Sequence, residues 1–122
     1  MSSIERKAKV LRKESWGDYY RLRILAPQIA SKAKPGQFIM IKIMESYLPL
    51  LRRPFSLHSC SEDMIEIFFK VVGQGTAQLA SKLEGQDLDI IGPLGRGFSL
   101  PESPQENLSL LVAGGRGIAP FP

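Results

Sequence analysis

The sequence predicts an all-β fold: an antiparallel Greek-key β-barrel with one short helix, plus the first strand of an α/β nucleotide-binding domain whose remainder is missing. Three observations predict it. Apolar and polar residues alternate over several short stretches, the period of strands with one face on a core. Turn signals built on Gly, Pro, Asp and Ser separate those stretches at fairly even intervals, the rhythm of closed antiparallel barrels. A last apolar run, Leu108 to Val112, breaks that rhythm and enters a glycine-rich turn, as the opening strand of a nucleotide-binding sheet does.

Each element has its own signal. Met1 to Lys9 is polar and carries no signal-peptide core. Trp16 beside Gly17-Asp18 is placed at a hairpin cap, and Tyr20, Leu22 and Ile24 then alternate with Arg21 and Arg23 as a half-buried strand. Pro27 to Gly36 reads as a loop closing in the Pro35-Gly36 turn. Gln37 to Met44 is apolar except for Lys42 and reads as a buried strand. Phe55 to Cys60 and Met64 to Val72 form two more, joined by the hairpin connection Ser61-Glu62-Asp63. Thr76 is placed as the N-cap of a helix whose residues Leu79, Ala80 and Leu83 share one face, with Gly85 as its stop. Residues 86–91 return to strand before the turn Gly92-Pro93-Leu94-Gly95. Ser99 to Asn107 is rich in Pro, Ser and acid. The expected domains are therefore a barrel over 1–100, a linker over 101–107 and the start of a truncated second domain over 108–122.

Composition narrows the class. A chain of 122 residues with 43% apolar and 23% charged residues is globular. No apolar run approaches the ~18 residues of a membrane helix. A single cysteine, Cys60, excludes an internal disulfide framework and any cysteine-held metal cluster within this chain, and fits a reducing cytoplasm. The net charge of +4 is spread out, without the basic stripe and interleaved aromatics of a nucleic-acid binder. His58 reads as a strand residue facing solvent or a neighbour rather than as a base. Cys60 reads as a small core residue, and Phe68, Phe69, Met40 and Met44 as barrel packing.

Three constellations carry chemistry. Arg53-Pro54-Phe55-Ser56 sets a cation, a flat ring and a hydroxyl on one strand, with Arg53 and Phe55 on one face and Pro54 and Ser56 on the other. Those groups suit the phosphate, the ring and the ring nitrogen of a flavin nucleotide. Gly73-Gln74-Gly75-Thr76 opens the helix, either as an anion site where glycine lets phosphate reach the backbone or as a turn that needs glycine for its dihedral angles. Gly114-Gly115-Arg116-Gly117 follows the last apolar run without the full dinucleotide fingerprint, and forms an incomplete nucleotide loop through Gly114, Gly115 and Gly117.

Together with Phe69-Lys70-Val71-Val72, Gly92-Pro93-Leu94-Gly95-Arg96-Gly97-Phe98 and Gly114 to Pro120, these motifs resemble the flavin-binding half of the ferredoxin–NADP reductase superfamily. Within it the likeness is greatest to the electron-transfer subunits of bacterial dihydroorotate dehydrogenases. The resemblance implies FAD as cofactor. Arg53 would meet its pyrophosphate, Phe55 would lie against the isoalloxazine ring, and Ser56 would bond near N5. Phe68, Phe69 and Lys70 would line the adenylate or ribityl side, and Gly75 and Thr76 would hold the phosphates. NAD(P)H, a [2Fe–2S] cluster and a catalytic dehydrogenase subunit as partner, in pyrimidine biosynthesis, are implied for a full-length protein only; the fragment would not be a competent enzyme alone. Arg96 and Arg116 depart from the family's more usual small or apolar residues. Two alternatives stand beside this: a subunit of a hydrogenase, sulfite reductase or bifurcating complex, and a β-barrel interaction module that binds no flavin. The choice of NADH or NADPH, the final acceptor and the assembly state are not encoded in these motifs.

Overall fold

A computed structural model describes residues 2–43 and 52–97. The expected linker, the Leu108–Val112 strand, the Gly114–Gly117 loop and Met44 all lie outside them. Six strands and two short helices follow one another as β1 (Ser3–Trp16), β2 (Tyr19–Leu25), α1 (Pro27–Lys32), β3 (Phe38–Lys42), β4 (Arg52–Ser61), β5 (Met64–Lys70), α2 (Gln74–Ala80) and β6 (Asp87–Leu94). The strands close into one barrel in the order β1-β2-β5-β4-β3-β6, every pair antiparallel. Closure gives every described strand a neighbour on each side over part of its length, which protects the sheet from edge pairing.

Alternation fixes which residues face inward. Leu22 and Ile24 of β2, Ile39 and Ile41 of β3, Ile65 and Ile67 of β5 and Ile90 of β6 have no exposed surface at all. Each such side chain contributes roughly 1.5–3 kcal/mol on burial. β-Branched isoleucine dominates because it packs well on a pleated surface. No polar side chain is buried among the described residues.

The structure departs from the sequence reading at six places. β6 runs on through Gly92-Pro93-Leu94, which the sequence reading gave to a turn. β1 is a fourteen-residue strand where a polar terminus was expected. Only Ala8 and Val10 of it are buried, and register shifts on both of its flanks break the alternation that would have revealed it. The expected loop after Pro27 contains α1, so the barrel carries two short helices rather than one. Pro27 suits a first helical turn, whose N–H groups lack intrahelical acceptors, and Ile29 anchors the turn in the core. α2 begins at Gln74 behind an N-cap at Gly73, and Leu83 lies past its end, 61% exposed. Cys60 is exposed rather than in the core, because β3 covers β4 only from Arg52 to Ser56 and leaves Cys60 with a neighbour on one side. Met40 is only half-buried, paired with Pro54 on the outer face of the barrel.

Candidate functional site

The site is built where β4 meets the start of α2. Phe55 pairs with Ile39 and Arg53 with Ile41, so both follow the inward-facing row of β3. Phe55 remains in the core at 8% exposure, but Arg53 stands at the barrel rim and is exposed. Its neighbour there is Gly75, where a Cβ would come within 3.3 Å of Arg53 Nε. The first two constellations, separate in sequence, are thus one feature in space.

The electrostatic setting of Arg53 differs from that of the residue before it. Arg52 turns to the outer face, where Asp89 Oδ1 lies 2.7 Å from its Nη2. Arg21 is bound to Glu14 at 2.7 Å, and Arg12 and Arg23 also have carboxylate partners. Among the described residues no carboxylate pairs with Arg53. An exposed guanidinium with no donor committed to a described residue is available to an external anion.

The turn before α2 is held by Thr76. Its hydroxyl accepts hydrogen bonds from the backbone N–H groups of Val72 at 2.8 Å and Gly73 at 3.2 Å. The N–H groups of Gln74, Gly75 and Thr76 belong to the first turn and have no intrahelical acceptor. Thr76 therefore organises the loop with its side chain and faces outward with its backbone. Gly75 adds no side chain between Arg53 and that backbone.

Behind the rim lies an aromatic wall. Phe55 meets Phe69 edge-on at 5.7 Å, and Tyr20 stacks on Phe69 at 5.7 Å. Tyr20 went unmarked in the sequence because its alternation explained it as core. Phe68 and Lys70 point to the opposite face. There Phe68 stacks on Tyr19 at 5.6 Å and lies near Trp16 and His58, while Lys70 sits over the Tyr19 ring at 5.5 Å. Pro54 and Ser56 are also outward, paired with Met40 and Phe38. The nine expected site residues therefore divide: Arg53, Gly75 and Thr76 stand at the rim, Phe55 and Phe69 are buried in the core behind it, and Pro54, Ser56, Phe68 and Lys70 lie on the outer surface. His58 is the extra residue of a bulge between Leu57 and Ser59.

Among the described residues, no group of His, Cys, Asp or Glu is placed to hold a metal, and no helix is long and apolar enough to cross a membrane.

Comparisons with known proteins converge on one kind of domain. The profile of a family described as FAD-binding domain matches residues 4–118. The chain is 38% identical over 114 residues to the electron transfer subunit of dihydroorotate dehydrogenase B (NAD(+)) from Bacillus cereus, and 38% identical to that from Bacillus mycoides. In both cases the match covers 92% of this chain and 44% of the relative, so the chain spans less than half the length of those proteins. Among solved structures, the ferredoxin reductase of carbazole 1,9a-dioxygenase superposes with a TM-score of 0.76 at 25% identity, over 97% of this chain and 37% of that one. An NADH-dependent reduced ferredoxin-NADP oxidoreductase, studied for flavin-based electron bifurcation, gives 0.70 at 28% identity over 78% and 35%.

Proposed function

This chain belongs to the family of FAD-binding domains, and from that premise we propose that its barrel positions the flavin of an NAD(P)H-linked electron-transfer reductase through the rim around Arg53. The observation that carries this reading is the exposed Arg53 guanidinium, without a carboxylate partner among the described residues, lying against Gly75. A dinucleotide needs a cation and a bare backbone at its pyrophosphate, and these two residues fit it. A side chain at position 75 would fill the place where a phosphate must approach.

The residues divide the work. Arg53 binds the pyrophosphate by charge-assisted hydrogen bonds, for which a planar guanidinium is well shaped. Gly75 lets the phosphate reach the first-turn N–H groups, and Thr76 keeps those groups in place by tying down Val72 and Gly73. Phe55, 8% exposed and packed on Phe69, supports the strand from the core side and is too buried to lie against the isoalloxazine ring. Ser56, next on the strand and half-buried, offers its hydroxyl to the ring near N5. Phe68, Lys70 and Pro54 are assigned to the flanks of the bound nucleotide. When bound, FAD supplies the two-electron and one-electron redox chemistry that such reductases use.

The longer relatives point to a partner. The electron transfer subunits of dihydroorotate dehydrogenase B support a role passing electrons between NADH and a catalytic dihydroorotate dehydrogenase subunit in the cytoplasm, with an iron–sulfur cluster beyond this chain. The bifurcation-related neighbour supports a second reading, a subunit of another flavin reductase complex.

The test is reconstitution. The chain incubated with FAD and freed of excess should retain a flavin absorption band at about one flavin per chain. Arg53→Ala should weaken FAD by roughly 2–3 kcal/mol, the scale of a lost charge-assisted hydrogen bond to phosphate. Equal affinity in wild type and variant would remove Arg53 from the site.

A further inference from the structure

β6 is separated from β4 by β3, and a cleft of about 300 Å³ opens beside β6. Four cations line it: Arg6 and Lys7 of β1, Lys42 of β3 and Lys82 just past α2. Strand register brings three of them together. Between the pairs Glu5–Ile90 and Ala8–Leu88, β1 spends two residues where β6 spends one, so Arg6 and Lys7 share Asp89 as their opposite residue. Such a bulge re-aims side chains that regular pairing would send to opposite faces. From the other side, Lys42 is also opposite Asp89.

Asp89 does not neutralise them. Its carboxylate is held by Arg52, which reaches across from β4 to 2.7 Å. Among the described residues Arg6, Lys7, Lys42 and Lys82 enter no ion pair, and Asp87 is the one carboxylate of the cleft without a cation at that distance. Lys42 and Lys82 are half-buried, so part of their hydration is lost without an ion pair to any described residue in return. Lysines are compact point charges with rotatable donors, suited to phosphate oxygens. The volume stands at the small end of ligand pockets.

We propose that this cleft is a second binding site, distinct from the flavin rim, for a compact phosphate-bearing anion of diphosphate size. Arg6, Lys7, Lys42 and Lys82 contact the phosphates, and Asp87 opposes binding by repulsion. The inference does not rest on the flavin assignment, since no residue is shared with that site.

Calorimetric titration of the chain with inorganic diphosphate at low salt tests it. Binding of one diphosphate per chain is expected in the chain loaded with FAD and freed of excess, where the rim is occupied. Lys42→Ala combined with Lys82→Ala should weaken it at least tenfold, while Asp87→Asn should tighten it about threefold or more, from the removal of one nearby like charge. The gain in Asp87→Asn cannot come from misfolding, which keeps the test decisive if the lysine variant folds poorly. A parallel titration with ADP separates sources: equal affinity assigns the site to phosphate alone, and tighter ADP binding assigns it to a nucleotide. The proposal is overturned by absence of binding, by binding that FAD loading abolishes and the cleft variants leave unaffected, or by a glutamate peptide binding more tightly than diphosphate.

Discussion

Arg53 of β4 lies against Gly75 of α2 so closely that a Cβ on residue 75 would stand 3.3 Å from the guanidinium Nε. Two elements joined through the whole of β5 thereby present one cation and one bare stretch of backbone at the same point of the rim. Four predictions follow from this arrangement and the packing around it.

Gly75→Ala separates stability from cofactor binding. Gly75 lies inside α2 and has no positive φ, so alanine is compatible with its backbone and should stabilise the helix by about 0.5–1 kcal/mol. The new methyl also displaces Arg53 by a few tenths of an ångström. The expected outcome is an unchanged or raised melting temperature without FAD and a several-fold weaker FAD affinity. Equal affinity would mean that the phosphate does not pass between the two residues.

Thr76→Val keeps the shape of the side chain and removes its hydroxyl. The N–H groups of Val72 and Gly73 then lose their acceptor. A loss of about 1 kcal/mol is expected in urea unfolding, as for other cap residues, with Thr76→Ser close to wild type. Failure of serine to restore the midpoint would assign the effect to the methyl group.

Phe55→Ala strikes the wall and the core together. Phe55 is 8% exposed and packs edge-on against Phe69. Truncation should cost about 3–5 kcal/mol of stability in the FAD-free chain. Phe55→Leu, which keeps most of the volume, should fold well and keep most of the flavin affinity, since residue 55 supports the strand from the core side. A destabilisation below about 1 kcal/mol for the alanine variant would contradict the packing.

Glu14 governs a pH dependence. The hydrogen bond and charge of Arg21 hold its carboxyl below the ordinary value of 4.5, with Arg12 and Arg23 adding to the effect. A carboxyl lowered on folding contributes stability above its unfolded-state value, and that contribution is lost as pH falls through the folded value. Glu14→Gln should therefore be less stable than wild type at neutral pH, and the gap should narrow below pH ~4. A gap that persists at low pH would point to packing rather than charge. The group is exposed, so the effect is a small one that salt reduces.

The sequence by itself determined the class of the fold and supplied the candidate residues of the rim. Strands β2, β3, β4 and β5 could be read because their burial alternates with period two, and Arg53, Gly75 and Thr76 could be singled out because residue type alone states what they can bind. Only the tertiary structure decided the rest. β1 is hidden in the sequence because bulges on both flanks interrupt its period, and its partners β2 and β6 supply the hydrogen bonds that hold it extended. The exposure of Cys60 depends on where β3 stops, which no local pattern records. Above all, the meeting of Arg53 with Gly75 is a consequence of barrel closure. Periodicity sets the face on which a side chain lies, a local property of the chain, whereas the neighbour across the rim is set by non-local pairing and register, which exist only once the strands have found one another.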